Sequence, residues 1–131
     1  MYKKISIFWM LLLFVLSTAS IKNITVSPTI MGIPTDKIAH LSMYFVLAFL
    51  LLLAFVEQYA NGSAKIFTVK ATAKMQIIAV TIASLYGIFL EILQEKFFLT
   101  RCFDVNDIIA NIMGVILALL IYVITFSLIK K

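Results

Sequence analysis

Charged residues are scarce in this chain of 131 residues: they make up 13% of it, whereas 63% of the residues are hydrophobic. A typical soluble domain carries about 25% charged residues, so the composition excludes an ordinary soluble domain. The net charge is +5, and the lysines lie mainly at the chain ends and in one loop, as expected for residues that orient membrane segments. Nucleic-acid binding is therefore not expected. A mean hydropathy of +1.11 indicates an integral membrane protein with several spans.

Cysteine and histidine are rarer still. The single cysteine, Cys102, excludes an intrachain disulfide and a cysteine-based metal cluster. The sequence contains no paired-histidine zinc helix, no glycine-rich phosphate loop and no nucleophile elbow. The one histidine, His40, together with Glu91, Asp104 and Asp107 could in principle hold a cation, but one histidine among scattered acids is a weak metal signature. We therefore expect neither a metal nor a cofactor.

Four apolar segments predict four transmembrane helices in one domain covering residues 1–131. The first segment has about 15 residues, which is short for the ~20 of a full span. It also follows two lysines and ends in small residues, as a signal peptide does. We favour an uncleaved first helix, and the signal peptide stays open as the alternative. The prediction is an all-α polytopic membrane bundle with helices at approximately 5–19, 37–56, 75–94 and 107–129.

Lysine and arginine predict how the bundle is oriented. With both termini in the cytoplasm, seven basic residues lie inside and four outside, which fits the positive-inside rule. The inner set is Lys3, Lys4, Lys65, Lys70, Lys74, Lys130 and Lys131, and the outer set is Lys22, Lys37, Lys96 and Arg101. We expect a multi-pass membrane protein with both termini in the cytoplasm.

Polar residues recur at the outer ends of the second, third and fourth predicted helices. On each helix they are three or four residues apart, which places them on one face. Because a charge at mid-bilayer costs roughly 2.5–3.5 kcal/mol, we expect these faces to turn toward each other and not toward lipid. The predicted ligand-binding site consists of Asp36, His40, Glu91, Gln94, Arg101, Asp107 and Asn111.

The planar guanidinium of Arg101 suits a phosphate or a carboxylate. An anionic envelope molecule held near Arg101 is therefore the expected ligand, with Glu91 and Asp107 positioning it and His40. Nearby residues receive other roles. Lys37, Glu95 and Lys96 are expected in solvent, Tyr44 in the interfacial belt, and Gly87 and Gly114 where helices approach closely.

Three spaced motifs follow one another along the chain: Asp36-Lys37-x-x-His40-x-x-x-Tyr44, Glu91-x-x-Gln94, and Arg101 followed by Asp107-x-x-x-Asn111-x-x-Gly114. They resemble those of the VanZ-like family of small bacterial membrane proteins. The resemblance covers about residues 36–118, and it implies an envelope-associated role and a place in the bacterial cytoplasmic (inner) membrane. The family takes its name from a member associated with low-level teicoplanin resistance, but the family is broad and resistance is not carried over. Cys102 stands where a glycine often follows the arginine.

These observations predict an outward-facing polar pocket that binds an anionic cell-envelope lipid, a glycan precursor or a glycopeptide, with membrane lipids as the surrounding partners. Three other classes stay open. The chain could be a membrane-embedded enzyme that uses His40 and a carboxylate for acid–base chemistry, or a transporter subunit that requires a homo-oligomer to form a path. It could also be a structural or assembly protein in which the polar residues only join helices.

Overall fold

The computed structural model of the chain is a bundle of four helices. A short pair of strands lies between the first and the second helix. It describes residues 1–18, 29–30, 32–62, 69–97 and 104–129. The predicted all-α class is confirmed. The helices are α1 (Tyr2–Thr18), α2 (Thr35–Gly62), α3 (Val69–Phe97) and α4 (Val105–Ile129), and the strands are β1 (Thr29–Ile30) and β2 (Ile33–Pro34).

Three of the helices are long and apolar enough to cross a membrane. The candidate spans are Thr35–Val56, Ala73–Lys96 and Val105–Thr125. Helix α1 has 17 residues and is therefore about 26 Å long, somewhat less than the ~30 Å of the hydrocarbon core. The chain is thus a helical membrane protein with three candidate spans.

The helices extend beyond the predicted limits. The hydropathy pattern places the end of α2 at Val56 and the start of α3 at Met75. In the structure α2 continues to Gly62 and α3 begins at Val69. Hydropathy marks only the lipid-buried part of a helix, while the hydrogen-bonded backbone continues into the polar flanks. Asn61 and Gly62, a pair typical of turns, accordingly form the last residues of α2.

Strands β1 and β2 form an antiparallel pair with Ile30 opposite Ile33. Gly32, between them, has a φ of 80°, a left-handed conformation that glycine adopts without steric cost. This pair reverses the chain immediately before α2.

Helices α2 and α4 approach to backbone contact, and Gly114 makes this possible. A methyl group on Gly114 would overlap the backbone oxygen of Leu41 and lie 3.0 Å from the Phe45 nitrogen. On α3, a methyl on Gly87 would lie 3.0 Å from the Tyr44 ring. The prediction that both glycines permit close approach is confirmed. Around these contacts the fully buried core includes Leu47, Ala48, Ala79, Ala83 and Ala118.

Side-chain hydrogen bonds join α1 to the other helices. The Trp9 indole donates to the Met43 carbonyl at 3.1 Å, and the Tyr86 hydroxyl donates to the Met10 carbonyl at 2.7 Å. Gln94 donates to the Ser17 carbonyl at 3.0 Å. Residues 10 and 17 therefore lie beside residues 86 and 94, so α1 runs parallel to α3. The C-terminal ends of α1 and α3 meet the N-terminal ends of α2 and α4 at one end of the bundle, which we call the polar end.

Candidate functional site

Lys37 joins the N-terminal ends of α2 and α4. Its ammonium forms ion pairs with the Asp104 and Asp107 carboxylates and lies 3.2 Å from Asp36 Oδ2. The Lys37 side chain is 18% exposed, so the expectation that this lysine is solvated is wrong. A lysine in the first turn of a helix looks like a solvated end group in the sequence. Only the approach of α4 supplies the carboxylates that enclose it.

Asp104 both caps α4 and pairs with Lys37. Its Oδ1 accepts from the backbone N–H of Asn106 at 2.8 Å, a typical N-cap interaction that satisfies a free helix donor. The hydrogen bond from Lys37, and then the one from the Asn106 backbone, hold the pKa of the Asp104 carboxyl below its usual value. Asp104 is therefore ionised at neutral pH, next to the positive end of the α4 dipole.

His40 lies among polar groups from α3 and α4. Its Nδ1 is 3.0 Å from the Asn111 amide oxygen and 3.6 Å from Glu91 Oε1, and its Nε2 is 3.9 Å from Asp107 Oδ2. An amide oxygen only accepts hydrogen bonds, so the short contact with Asn111 places the proton on Nδ1. In the neutral ring the lone pair then lies on Nε2, the nitrogen nearest Asp107.

The side chains in the inner part of the site are buried. Glu91 and Asn111 are each 2% exposed, and Tyr44 is 4% exposed, so Tyr44 is a core residue and not a member of the predicted interfacial belt. The absence of a side chain at Gly87 makes room for both the Tyr44 ring and the Asn111 amide nitrogen, which lies 3.3 Å from the position of a Gly87 methyl.

Two polar atoms of the site are buried without a hydrogen-bond partner among the residues that the structure describes. They are the Asn111 amide nitrogen and Asp36 Oδ1. An unmade hydrogen bond of this kind costs about 1–3 kcal/mol. The site is thus incomplete as a purely internal network of the described residues.

The structure brings together five of the seven predicted site residues. Gln94 is different, because its amide nitrogen is directed to Ser17 of α1, while Arg101 lies outside the described residues. Glu95 and Lys96 are exposed, as expected. The residues brought together are Asp36, His40, Glu91, Asp107 and Asn111, joined by Lys37 and Asp104, which were not among the predicted seven.

Hydrogen-bond acceptors predominate in this cluster. Among the described residues it contains four carboxyl groups and one ammonium. Carboxylates only accept hydrogen bonds. This part of the site is therefore suited to a cation or to hydroxyl and ammonium donors, and an anionic group would need a basic residue from elsewhere.

The family model described as VanZ/LLP1 matches residues 4–127, nearly the whole chain. No curated protein and no solved structure matches the chain.

Proposed function

This chain belongs to the VanZ/LLP1 family, and from that premise we propose that it binds a cell-envelope molecule at the polar end of its bundle. The binding residues are the described cluster around Lys37, His40 and Asp107, with Arg101 as a further contact assigned from the sequence. The ligand's polar group would enter between α2, α3 and α4, while an attached lipid chain would follow the apolar outer faces of the helices.

The observation that supports binding is a pair of buried atoms with no hydrogen-bond partner among the described residues, the Asn111 amide nitrogen and Asp36 Oδ1. If the polar residues served only to join helices, their buried atoms would be expected to satisfy each other, as most do in folded proteins. A bound molecule with an acceptor for Asn111 and a donor for Asp36 would complete the network.

The ligand class follows from the charges. The described carboxylates require donors, such as sugar hydroxyls or an amine, whereas Arg101 is suited to a phosphate or carboxylate. A lipid-linked glycan precursor carries both kinds of group and therefore fits better than a simple anionic lipid. A glycopeptide, which also combines amines, hydroxyls and a carboxylate, is the second ligand of the same chemistry.

We further propose that the protein lies in the bacterial cytoplasmic membrane with both termini inside, which turns the polar end outward. The support is the distribution of lysine and arginine, seven against four. The side of the membrane on which Cys102 reacts tests this orientation.

The test is native mass spectrometry of the full chain in nanodiscs that contain a defined lipid-linked glycan pyrophosphate. We expect the wild type to retain the glycan lipid. Asp107→Asn and Arg101→Ala should each weaken retention about tenfold or more, since each removes a charged hydrogen bond to the ligand. Glu95→Gln is the matched control, because Glu95 is an exposed carboxylate on α3.

Equal retention by the wild type and both site variants would contradict the proposal. Loss of retention in Glu95→Gln as well would do the same, because it would show that binding follows overall charge and not the site. A second nanodisc that contains only phosphatidylglycerol tests whether an anionic lipid alone is sufficient. Equally strong binding of that lipid would show that the glycan is not part of what the site recognises.

A further inference from the structure

We propose that His40, Glu91 and Asp107 form a binding site for a divalent transition-metal ion of the Zn²⁺ or Mn²⁺ type. One donor atom from each residue lies within 4.8 Å of the other two. The three residues come from three different helices, α2, α3 and α4, so the site forms only when the bundle is assembled. This inference goes beyond binding of an envelope molecule and does not depend on it.

The three donor atoms are grouped, with a spacing somewhat wider than that of an occupied metal site. Zinc binds imidazole nitrogen and carboxylate oxygen at about 2.0–2.2 Å, so its neighbouring ligand atoms lie roughly 3–3.5 Å apart. Here one nitrogen of His40 and one oxygen each of Glu91 and Asp107 lie within 4.8 Å of one another. Nε2, the nitrogen that carries the lone pair, is 3.9 Å from Asp107 Oδ2. Inward rotation of the three side chains by roughly 1 Å would bring the donor atoms to the spacing of bound ligands.

Asn111 supplies an observation independent of the three ligands. Its oxygen accepts from His40 Nδ1 at 3.0 Å, which leaves the lone pair on Nε2. Histidines that bind metals commonly donate their second nitrogen in this way, which fixes the ring and its tautomer. Asn111 is 2% exposed, and its amide nitrogen has no partner among the described residues, so a ligand or water on the metal would also satisfy this donor.

The second oxygen of Asp107 is held by Lys37. The ion pair orients the carboxylate so that Oδ2 faces His40, as outer-shell contacts orient metal ligands. Charge favours the same conclusion. The described cluster has four carboxyl groups and one ammonium, so its acidic groups outnumber its cations and suit a divalent cation.

The donor set selects the kind of ion. An imidazole favours Zn²⁺ and related transition metals, while carboxylates also suit Mn²⁺. Mg²⁺ and Ca²⁺ prefer sites made only of oxygen, so they should bind more weakly here. Three protein ligands leave at least one coordination position open, and an oxygen of an exogenous molecule could occupy it.

The test uses the full chain, purified in nanodiscs, freed of metal with a chelator and then supplied with Zn²⁺ or Mn²⁺ alone. We expect about one bound ion per chain by elemental analysis. His40→Ala and Asp107→Asn should weaken binding about a hundredfold, and Asn111→Ala about tenfold to a hundredfold. Glu95→Gln, one helical turn from Glu91 and exposed, should bind as the wild type does.

Each variant is first checked for helix content and for its metal-free melting temperature. If a variant fails to fold, pulsed electron paramagnetic resonance of Mn²⁺ on the wild type provides the decisive measurement, since a bound imidazole nitrogen gives a characteristic coupling. The coupling supports the site, and its absence overturns it.

Three other results would overturn the proposal: no bound ion at saturating Zn²⁺ and Mn²⁺, unchanged binding in folded His40→Ala, or equal competition by Mg²⁺. Because no glycan lipid is present in this experiment, failure of the metal site leaves the binding of an envelope molecule to be judged by its own test.

Discussion

At the scale of single residues, Lys37 controls the charge balance of the polar end. Its ammonium neutralises carboxylates from two helices, Asp104 and Asp107 on α4 and Asp36 beside it on α2. Without the ammonium, carboxylates of the same sign would face one another in a partly buried space. The pairing therefore holds the α2 and α4 ends together as well as shaping the site.

Lys37→Met should lower the free energy of unfolding by about 1–3 kcal/mol. Breaking a fully buried ion pair costs about 3–5 kcal/mol, and the partial exposure of the carboxylates reduces the effect. The measurement is reversible unfolding in mixed micelles, monitored by circular dichroism. Lys96→Met is the control, because Lys96 is exposed on α3 and its loss should change the unfolding free energy by less than about 0.5 kcal/mol. Equal effects of the two substitutions would show that the Lys37 ion pairs contribute nothing.

At the scale of helices, the position of the site depends on how closely α4 approaches α2. Gly114 faces the backbone of α2 at Leu41 and Phe45, one turn from the level of His40. In membranes such small residues let helices approach to backbone contact and gain packing energy. The same contact brings Asn111, on the preceding turn of α4, to His40. The helix contact and the site are therefore coupled.

Gly114→Ala should destabilise the bundle by about 1–3 kcal/mol, because its methyl group would meet a backbone carbonyl and the two helices would have to separate. Gly87→Ala is the comparison. Its methyl would lie against the ring of Tyr44, and a side chain moves more readily than backbone, so a smaller loss is expected. Unfolding free energies of both variants give the test, and a larger loss for Gly87→Ala would contradict the packing argument.

Several features of the helices could be predicted from the sequence. The existence and order of the helices follow from the apolar segments, and the close approach at Gly114 follows from its place in line with Asp107 and Asn111. The partner of Gln94 could not be predicted. Spacing placed Gln94 on the same stripe as Glu91, but its amide nitrogen bonds to Ser17 of α1, and this depends on where α1 docks.

At the scale of the whole molecule, the functional question is which side of the membrane the polar end faces. All four helices have one end at the polar end. Contacts between α1 and α3 and between α2 and α4 fix these ends relative to one another. The side of the membrane on which a residue between α3 and α4 in the sequence lies is therefore also the side that the site faces. Cys102 is suitable because it is the chain's single cysteine.

We expect a membrane-impermeant maleimide to label Cys102 in intact spheroplasts. The reason is the positive-inside rule, which assigns the segment between α3 and α4 to the outside. Labelling is measured by mass shift on a gel. The control is a Cys102→Ser, Lys131→Cys double variant, which should be labelled only after the membrane is permeabilised. The reverse pattern in the two proteins would show that the polar end faces the cytoplasm.

The sequence by itself determined that this is a helical membrane protein, where its apolar segments lie, which rare polar residues share a helix face, and which family its motifs resemble. These are local properties, because hydropathy and the 3.6-residue period are both set within one segment. Only the tertiary structure decided that Lys37 pairs with α4, that Asn111 fixes the tautomer of His40, and that Glu91 and Asp107 lie near the two nitrogens of one imidazole. Those contacts depend on the rotation and relative height of separate helices, which packing at positions such as Gly114 sets across distances that no local pattern encodes.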